Sequence, residues 1–176
     1  MNHIQREGVL GFVSALVVYT GSGLSTIDAK ARVTIPAELR DAVAQSTGEN
    51  SVCLQRHSSL PCLIGYGRAE KEQRKIDLNT QWSAAVNNGG AFDREVAGAG
   101  ASYIFETNFE TSGRFVIPSM LKSLGRLSSD RAFFFGVTTH FMLWNPEVFL
   151  SDAPPAFAHV REELEYWLSE AARRSK

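Results

Sequence analysis

Apolar and polar positions along the chain switch between a period of two and a period of three to four. Val33 and Ile35 alternate with Arg32 and Thr34, and Phe115 and Ile117 alternate with Arg114 and Val116. Alternation of this kind predicts two short strands, each with one face turned to a core. Pro36 and Pro118 close them, and Leu39 and Val43, then Leu121 and Leu124, follow at helical spacing. A proline has no N–H to lose at the first helical position, so a helix is predicted to open at each proline, with Gly125 as the stop of the second. Further strands are predicted over residues 19–24, 51–55, 62–66, 102–109, 131–137 and 140–144, the last two forming a hairpin across Thr138-Thr139. Residues 45–50 and the stretch carrying His57 and Pro61 read as polar loops. Asn145 and Pro146 supply the cap and first residue of another helix. Phe157, Val160, Leu164, Trp167, Leu168 and Ala171 recur at three- and four-residue steps, the mark of an amphipathic C-terminal helix. Its apolar stripe packs either on its own chain or on another subunit.

The two strand–proline units are copies. Asp28 and Glu110 stand 82 positions apart (110 − 28), and the same offset matches Arg32 with Arg114, Ile35 with Ile117, Pro36 with Pro118, Leu39 with Leu121 and Arg40 with Lys122. A fixed offset marks an internal repeat whose unit is turn, strand and short helix. Between the copies, residues 69–76 are charged and helix-permissive. Residues 77–101 read as a loop-rich connector because of Asn87-Asn88-Gly89-Gly90 and Ala97-Gly98-Ala99-Gly100-Ala101, with a short helix around 92–96. Trp82 and Phe92 indicate that this connector packs. Ahead of the first copy, Val9-Leu10-Gly11-Phe12-Val13-Ser14-Ala15-Leu16-Val17-Val18 is apolar but far shorter than the ~20 residues of a membrane-spanning helix. Residues 1–18 are read as an extension, disordered or partner-bound, rather than a signal peptide, and carry no assigned function.

The chain has 176 residues, 44% of them hydrophobic and 21% charged, which is ordinary for a packed domain. Eighteen basic and nineteen acidic side chains leave a net charge of −1. A strongly basic total would argue directly for nucleic acid; this balance means that any such contact rests on a local patch. Cys53 and Cys62 lie in apolar runs and read as buried thiols, and the four histidines show no metal-ligand spacing. No metal site, cofactor or small-molecule substrate is predicted. Catalysis by Cys53 with His57 is weighed and set aside: no third orienting group or oxyanion turn is visible, and no phosphate-binding loop is present.

Asp28-Ala29-Lys30-Ala31-Arg32-Val33-Thr34-Ile35-Pro36-Ala37-Glu38-Leu39-Arg40, followed downstream by Gly113-Arg114-Phe115-Val116-Ile117-Pro118, resembles the MraZ family. These are bacterial transcriptional regulators built from two tandem SpoVT/AbrB-type modules. Phe141-Met142-Leu143-Trp144-Asn145-Pro146-Glu147 is similar to the same family's aromatic-x-x-Trp-Asp-Pro-Glu segment. The resemblance runs from about residue 19 to 150. It implies an α+β, mainly β fold of two SpoVT/AbrB-like swapped-hairpin β-barrel modules with short helices and a C-terminal amphipathic helix. Mapped on the sequence, this gives module 1 at 19–76, the connector at 77–101, module 2 at 102–152 and the C-terminal helix at 153–176. It also implies a cytoplasmic, nucleoid-associated ring of identical chains that represses the division and cell-wall gene cluster. The expected partners are double-stranded DNA, as short G-rich direct repeats, and further copies of the chain, with no membrane. Carried over by position, Lys30, Arg32 and Arg114 become DNA contacts, with Arg40 and Lys122 as supporting phosphate contacts.

Two departures bear on that expectation. Ala31 stands where the family pattern has glycine, a strain of about 1 kcal/mol if the position needs φ > 0. The second copy has Glu110 for the usual aspartate, Ser112 for a longer polar residue, and no counterpart of Lys30. Each arginine also has a structural reading, an ion pair with Asp28 or Glu110 that locks its own turn. DNA contact is favoured for Lys30 and Arg32, and both readings stay open for Arg114. A ring-forming or antitoxin-like protein that binds a protein partner, with weakened DNA binding, is the competing function.

Overall fold

The computed structural model describes residues 17–175. Most of the extension read over residues 1–18 therefore lies outside the described residues. In chain order the elements are β1 (Ser22–Thr26), β2 (Arg32–Thr34), α1 (Ala37–Thr47), β3 (Ser51–Arg56), β4 (Leu63–Tyr66), α2 (Arg68–Asn87), α3 (Arg94–Ser102), β5 (Phe105–Asn108), β6 (Arg114–Val116), α4 (Ser119–Leu124), β7 (Arg131–Gly136), β8 (Phe141–Trp144), α5 (Pro146–Asp152), a 3₁₀ turn (Pro155–Phe157) and α6 (Ala158–Arg174). The fold is α+β, with its core in antiparallel sheet, as the family resemblance implies. Six strands pair in the order β1-β7-β8-β4-β3-β5, and β2 pairs with β6 alone. The six-stranded sheet is open, with β1 and β5 as its edges.

The register reveals a pseudo-twofold axis. In the central pair Leu63 faces Leu143, Ile64 faces Met142 and Gly65 faces Phe141. In the small ladder Arg32 faces Val116, Val33 faces Phe115 and Thr34 faces Arg114. Exchanging the two copies maps each ladder onto itself about its middle pair, so the axis passes through Ile64–Met142 and Val33–Phe115. The same exchange turns the Thr26–Arg131 pair at one sheet edge into the Asn108–Ser51 pair at the other. The repeat offset shrinks along the unit, from 82 at β2 (114 − 32) to 80 at β3 (131 − 51) and 78 at β4 (141 − 63). The strands of the two copies thus stay in correspondence while the segments between them differ in length, α1 having 11 residues and its counterpart α4 six. The leading strand of each copy pairs with the hairpin of the other: β1 with β7, and β5 with β3.

Burial on both faces explains why the central strands read as continuous apolar runs instead of alternating. Phe133, Phe134 and Phe135 are all buried. Phe133 and Phe135 meet the edge of Phe149 at ring separations of 5.6 and 5.7 Å, and Phe134 meets Phe141 on the next strand. Each such ring removed from water contributes about 2–3 kcal/mol. From the small ladder, Val33, Ile35, Phe115 and Ile117 enter the same core, with Leu39 and Val43 of α1 and Leu121 of α4. α6 lays Val160 and Leu164 into it, and Trp167 donates its indole N–H to Ser22 Oγ of β1 at 3.0 Å. The stripe of the C-terminal helix is thus spent on its own chain.

Several local expectations change. Pro36 and Pro118 precede their helices rather than opening them: with ψ of 145° and 141° they remain extended, and their carbonyls accept the first helical N–H from Arg40 and Lys122. α1 runs into the stretch read as a loop over 45–50 and ends on Gly48 in the left-handed region. β1 starts at Ser22, with Tyr19 bridged to Thr138, and β5 starts only at Phe105. The stretch over 77–101 is mostly helical. α2 continues to Asn87 because Leu78, Gln81, Ala84 and Ala85 are good helix formers, and only Asn88 and Gly89 stop it. In α3, Asp93 caps the helix by accepting the Val96 N–H at 2.9 Å, which offsets the cost of its glycines. As expected, Asn145 caps α5 and Pro146 opens it.

Candidate nucleic-acid interface

Each turn is closed the same way. In the first, Asp28 N–H donates to Arg32 O at 3.0 Å and Ala31 N–H to Asp28 O at 2.9 Å. In the second, Glu110 N–H donates to Arg114 O at 2.9 Å and Gly113 N–H to Glu110 O at 2.7 Å. The residue before each arginine takes a left-handed conformation, with φ of 57° at Ala31 and 85° at Gly113. The repeat therefore does need positive φ here, and the first copy meets it with an alanine at a cost on the order of 1 kcal/mol. The turns are also stitched to each other. Ile35 N–H donates to Gly113 O at 3.0 Å, and Ile117 N–H donates to Ala31 O at 2.9 Å.

The pairing of β2 with β6 therefore brings the two copies together on one surface. Val33 and Phe115 point inward, and Arg32, Thr34, Arg114 and Val116 form the outer face of the ladder. Lys30 lies exposed in the first turn and has no ion pair among the described residues. Arg40 belongs to the first copy, yet its stem lies over the second turn: a Cβ on Gly113 would meet Arg40 Cδ at 3.1 Å. Its head pairs with Asp41 at 3.0 Å. Lys122, the equivalent of Arg40, is half-buried on α4 and unpaired among the described residues. The five candidate cations, Lys30, Arg32, Arg40, Arg114 and Lys122, lie in the two turns, the ladder and the helices that follow it, and three of them pair with carboxylates, Asp28, Asp41 and Glu110.

Both arginines make the ion pair that the sequence allowed. Arg32 Nε donates to Asp28 Oδ2 at 2.5 Å, and Arg114 donates from Nε and Nη2 to the two oxygens of Glu110, each at 3.0 Å. Asp28 does more than pair. Its Oδ1 accepts the Lys30 and Arg32 backbone N–H groups at 2.8 and 2.9 Å. The Arg32 N–H is the main reason the Asp28 carboxyl is held below the usual carboxylate range, followed by the Arg32 guanidinium and the Lys30 N–H. The hydrogen bonds that Arg114 donates to Glu110, and then the Glu110 charge, hold Arg114 more firmly protonated; the Asp28 charge adds to this across the ladder.

A protein from Bordetella pertussis named "Transcriptional regulator MraZ" is 30% identical over 128 residues, covering 73% of this chain and 82% of the relative. The chain belongs to the MraZ family. Proteins of the same name from Paraburkholderia xenovorans and Acidovorax sp. are 29% identical over 146 residues and 27% identical over 133 residues, covering 80% and 73% of this chain. No protein-family model matches. Within an MraZ-family chain, the two turn–strand segments described here, together with Phe141–Glu147, are the segments that carried the resemblance.

The remaining reactive residues lie elsewhere. Cys53 is fully buried in β3, where desolvation pushes its thiol up to about 11; burial pushes Cys62 up as well. His57 spends Nδ1 accepting the Ser59 and Leu60 N–H groups at 3.1 and 3.0 Å. No hydrogen bond joins Cys53 to His57 among the described residues. Sequence reasoning missed the crossing of Arg40 to the opposite turn and the role of Thr34 and Val116 as the floor between the arginines. Alternation already put Thr34 on the Arg32 side; nothing local indicated the β2–β6 register.

Proposed function

We propose that this chain is an oligomeric, sequence-specific DNA-binding transcriptional regulator. In this reading it represses the bacterial division and cell-wall gene cluster and contacts short direct repeats through Lys30, Arg32 and Arg114, with Arg40 and Lys122 on flanking phosphates. The observation that carries the reading is the β2–β6 ladder, which sets two equivalent basic turns side by side on one outer face. The relatives' name, transcriptional regulator, supports it. Guanidinium and ammonium groups displace counterions from phosphates, and an arginine also grips guanine bidentately. Arg32 is suited to this because only its Nε is engaged by Asp28; neither Nη has a partner among the described residues. A few such contacts per chain bind weakly. Several chains in one assembly facing repeated boxes raise the effective concentration of each later contact and turn weak binding into avidity.

The test is fluorescence anisotropy on a duplex of several G-rich direct repeats against a scrambled duplex, at low and high salt, with Arg32→Ala alongside. Preference for the repeats, a steep fall with salt, and a loss of about tenfold or more in Arg32→Ala are expected. One observation favours a second reading, a binder of a protein partner: both arginines are already paired with carboxylates of their own turns. Absence of salt-sensitive DNA binding together with a stable co-purifying protein would select that reading instead.

A further inference from the structure

Although the two turns share a backbone, they hold their arginines differently. Asp28 is short, so its carboxylate sits within the turn and accepts two backbone N–H groups through Oδ1; only Oδ2 reaches Arg32, through Nε alone. Glu110 is one methylene longer. No backbone N–H of its turn donates to its carboxylate among the described residues, and both oxygens swing onto Arg114 in a two-point clamp on Nε and Nη2. That is the planar fork arrangement in which an arginine–carboxylate pair is strongest, and the guanidinium edge it occupies is an edge a guanine or phosphate would need. The first turn also carries an ammonium at Lys30, with no ion pair among the described residues, where the second has Ser112.

We infer that Glu110 is a specificity-determining residue that withholds Arg114 from nucleic acid, so that each chain reads DNA through its first turn and uses the second as a closed support. This rests on the DNA-binding reading given above and narrows it at Arg114, which becomes a support rather than a DNA contact. The consequence is an asymmetric footprint from a pseudo-symmetric fold. Each chain takes one box rather than two, through Lys30 and Arg32, and Arg114 supplies little affinity while Glu110 is ionised.

The inference is tested on the full chain with the repeat duplex, by titrating wild type, Arg32→Ala, Arg114→Ala, Glu110→Gln and the Glu110→Gln/Arg114→Ala double variant over a series of salt concentrations. Arg32→Ala is expected to weaken binding about tenfold or more and Arg114→Ala less than roughly twofold. Glu110→Gln is expected to tighten binding several-fold and to steepen the salt dependence by about one phosphate contact. That gain should vanish in the double variant. Equal losses in Arg32→Ala and Arg114→Ala, or a gain from Glu110→Gln that survives removal of Arg114, would overturn the clamp while leaving the DNA-binding reading intact. Wild-type protein that shows no salt-sensitive binding overturns that reading itself, and the clamp with it. Circular dichroism of each variant separates a lost contact from a lost fold.

Discussion

Positions 31 and 113 are a matched experiment within one chain. Both are left-handed, at φ 57° and 85°, but one carries a Cβ and the other does not. Ala31→Gly relieves the backbone strain and loses some chain entropy, so a net stabilisation of about 0.5–1 kcal/mol is expected, read as a higher urea midpoint at unchanged slope. Gly113→Ala adds the same strain and drives a Cβ to 2.9 Å from Ile35 O, where backbone must shift; a loss of about 1–2 kcal/mol or more is expected. Equal and opposite effects would show that the Ile35 contact is unimportant. His140 gives a pH prediction. Burial, and then the Arg74 charge 3.4 Å from its Nδ1, push it down to about 4, with His57 adding to the same effect and Thr139 Oγ1 as its other neighbour. The folded chain therefore refuses a proton that the unfolded chain takes up below about 6.5. Stability should decline as pH falls from about 6.5 to about 4, with burial of His57 adding to the slope in the same direction. Urea unfolding across that window should show a shallower decline in His140→Gln; an unchanged slope would remove His140 as the source. Asp28 acts lower: its depressed carboxyl adds stability that is present above about pH 4 and lost as pH falls further.

The helices show which local signals carry over and which mislead. Asn145 was legible as a cap because a short polar side chain before a proline has few other uses. The structure adds what no local rule contains: its Nδ2 donates to Arg126 O at 3.0 Å and Ser128 Oγ at 3.3 Å, tying α5 to the loop before β7, while Oδ1 accepts Glu147 N–H at 3.0 Å. Asn145→Ala should cost about 1–2 kcal/mol through the lost cap and the lost tie to Arg126 O, which keeps the Ser128 N–H at 2.9 Å, whereas Asn145→Asp keeps the cap and should cost less, as thermal unfolding would report. The glycine-rich stretch after α2 is helical because the Asp93 cap and the alanines between its glycines offset the glycine cost. Nor could periodicity reveal that α6 covers the edge strand β1, since an amphipathic stripe states that a partner exists and not which one.

At the scale of the molecule, the swap of leading strands makes each half incomplete. Residues 17–101 alone would leave β1 without β7 and β3 without β5. Separately expressed halves are expected to lack cooperative unfolding and the near-ultraviolet signal of the packed aromatics, and to regain both when mixed. Independent two-state folding of either half would contradict the interlocked core. The repeat, the strand faces, the prolines and the acid–arginine spacing were all determined by the sequence, because each depends on residues within a few positions of one another. Ion pairing of the arginines was readable as an option for the same reason: residue 28 reaches residue 32, and residue 110 reaches residue 114, within one turn. Which copy meets which was decided only in the tertiary structure. The β2–β6 register, the axis through Val33–Phe115 and Ile64–Met142, and the reach of Arg40 across to Gly113 depend on contacts between residues about 80 positions apart. Such contacts form when apolar faces from both copies are buried together, and a local pattern records only that those faces exist.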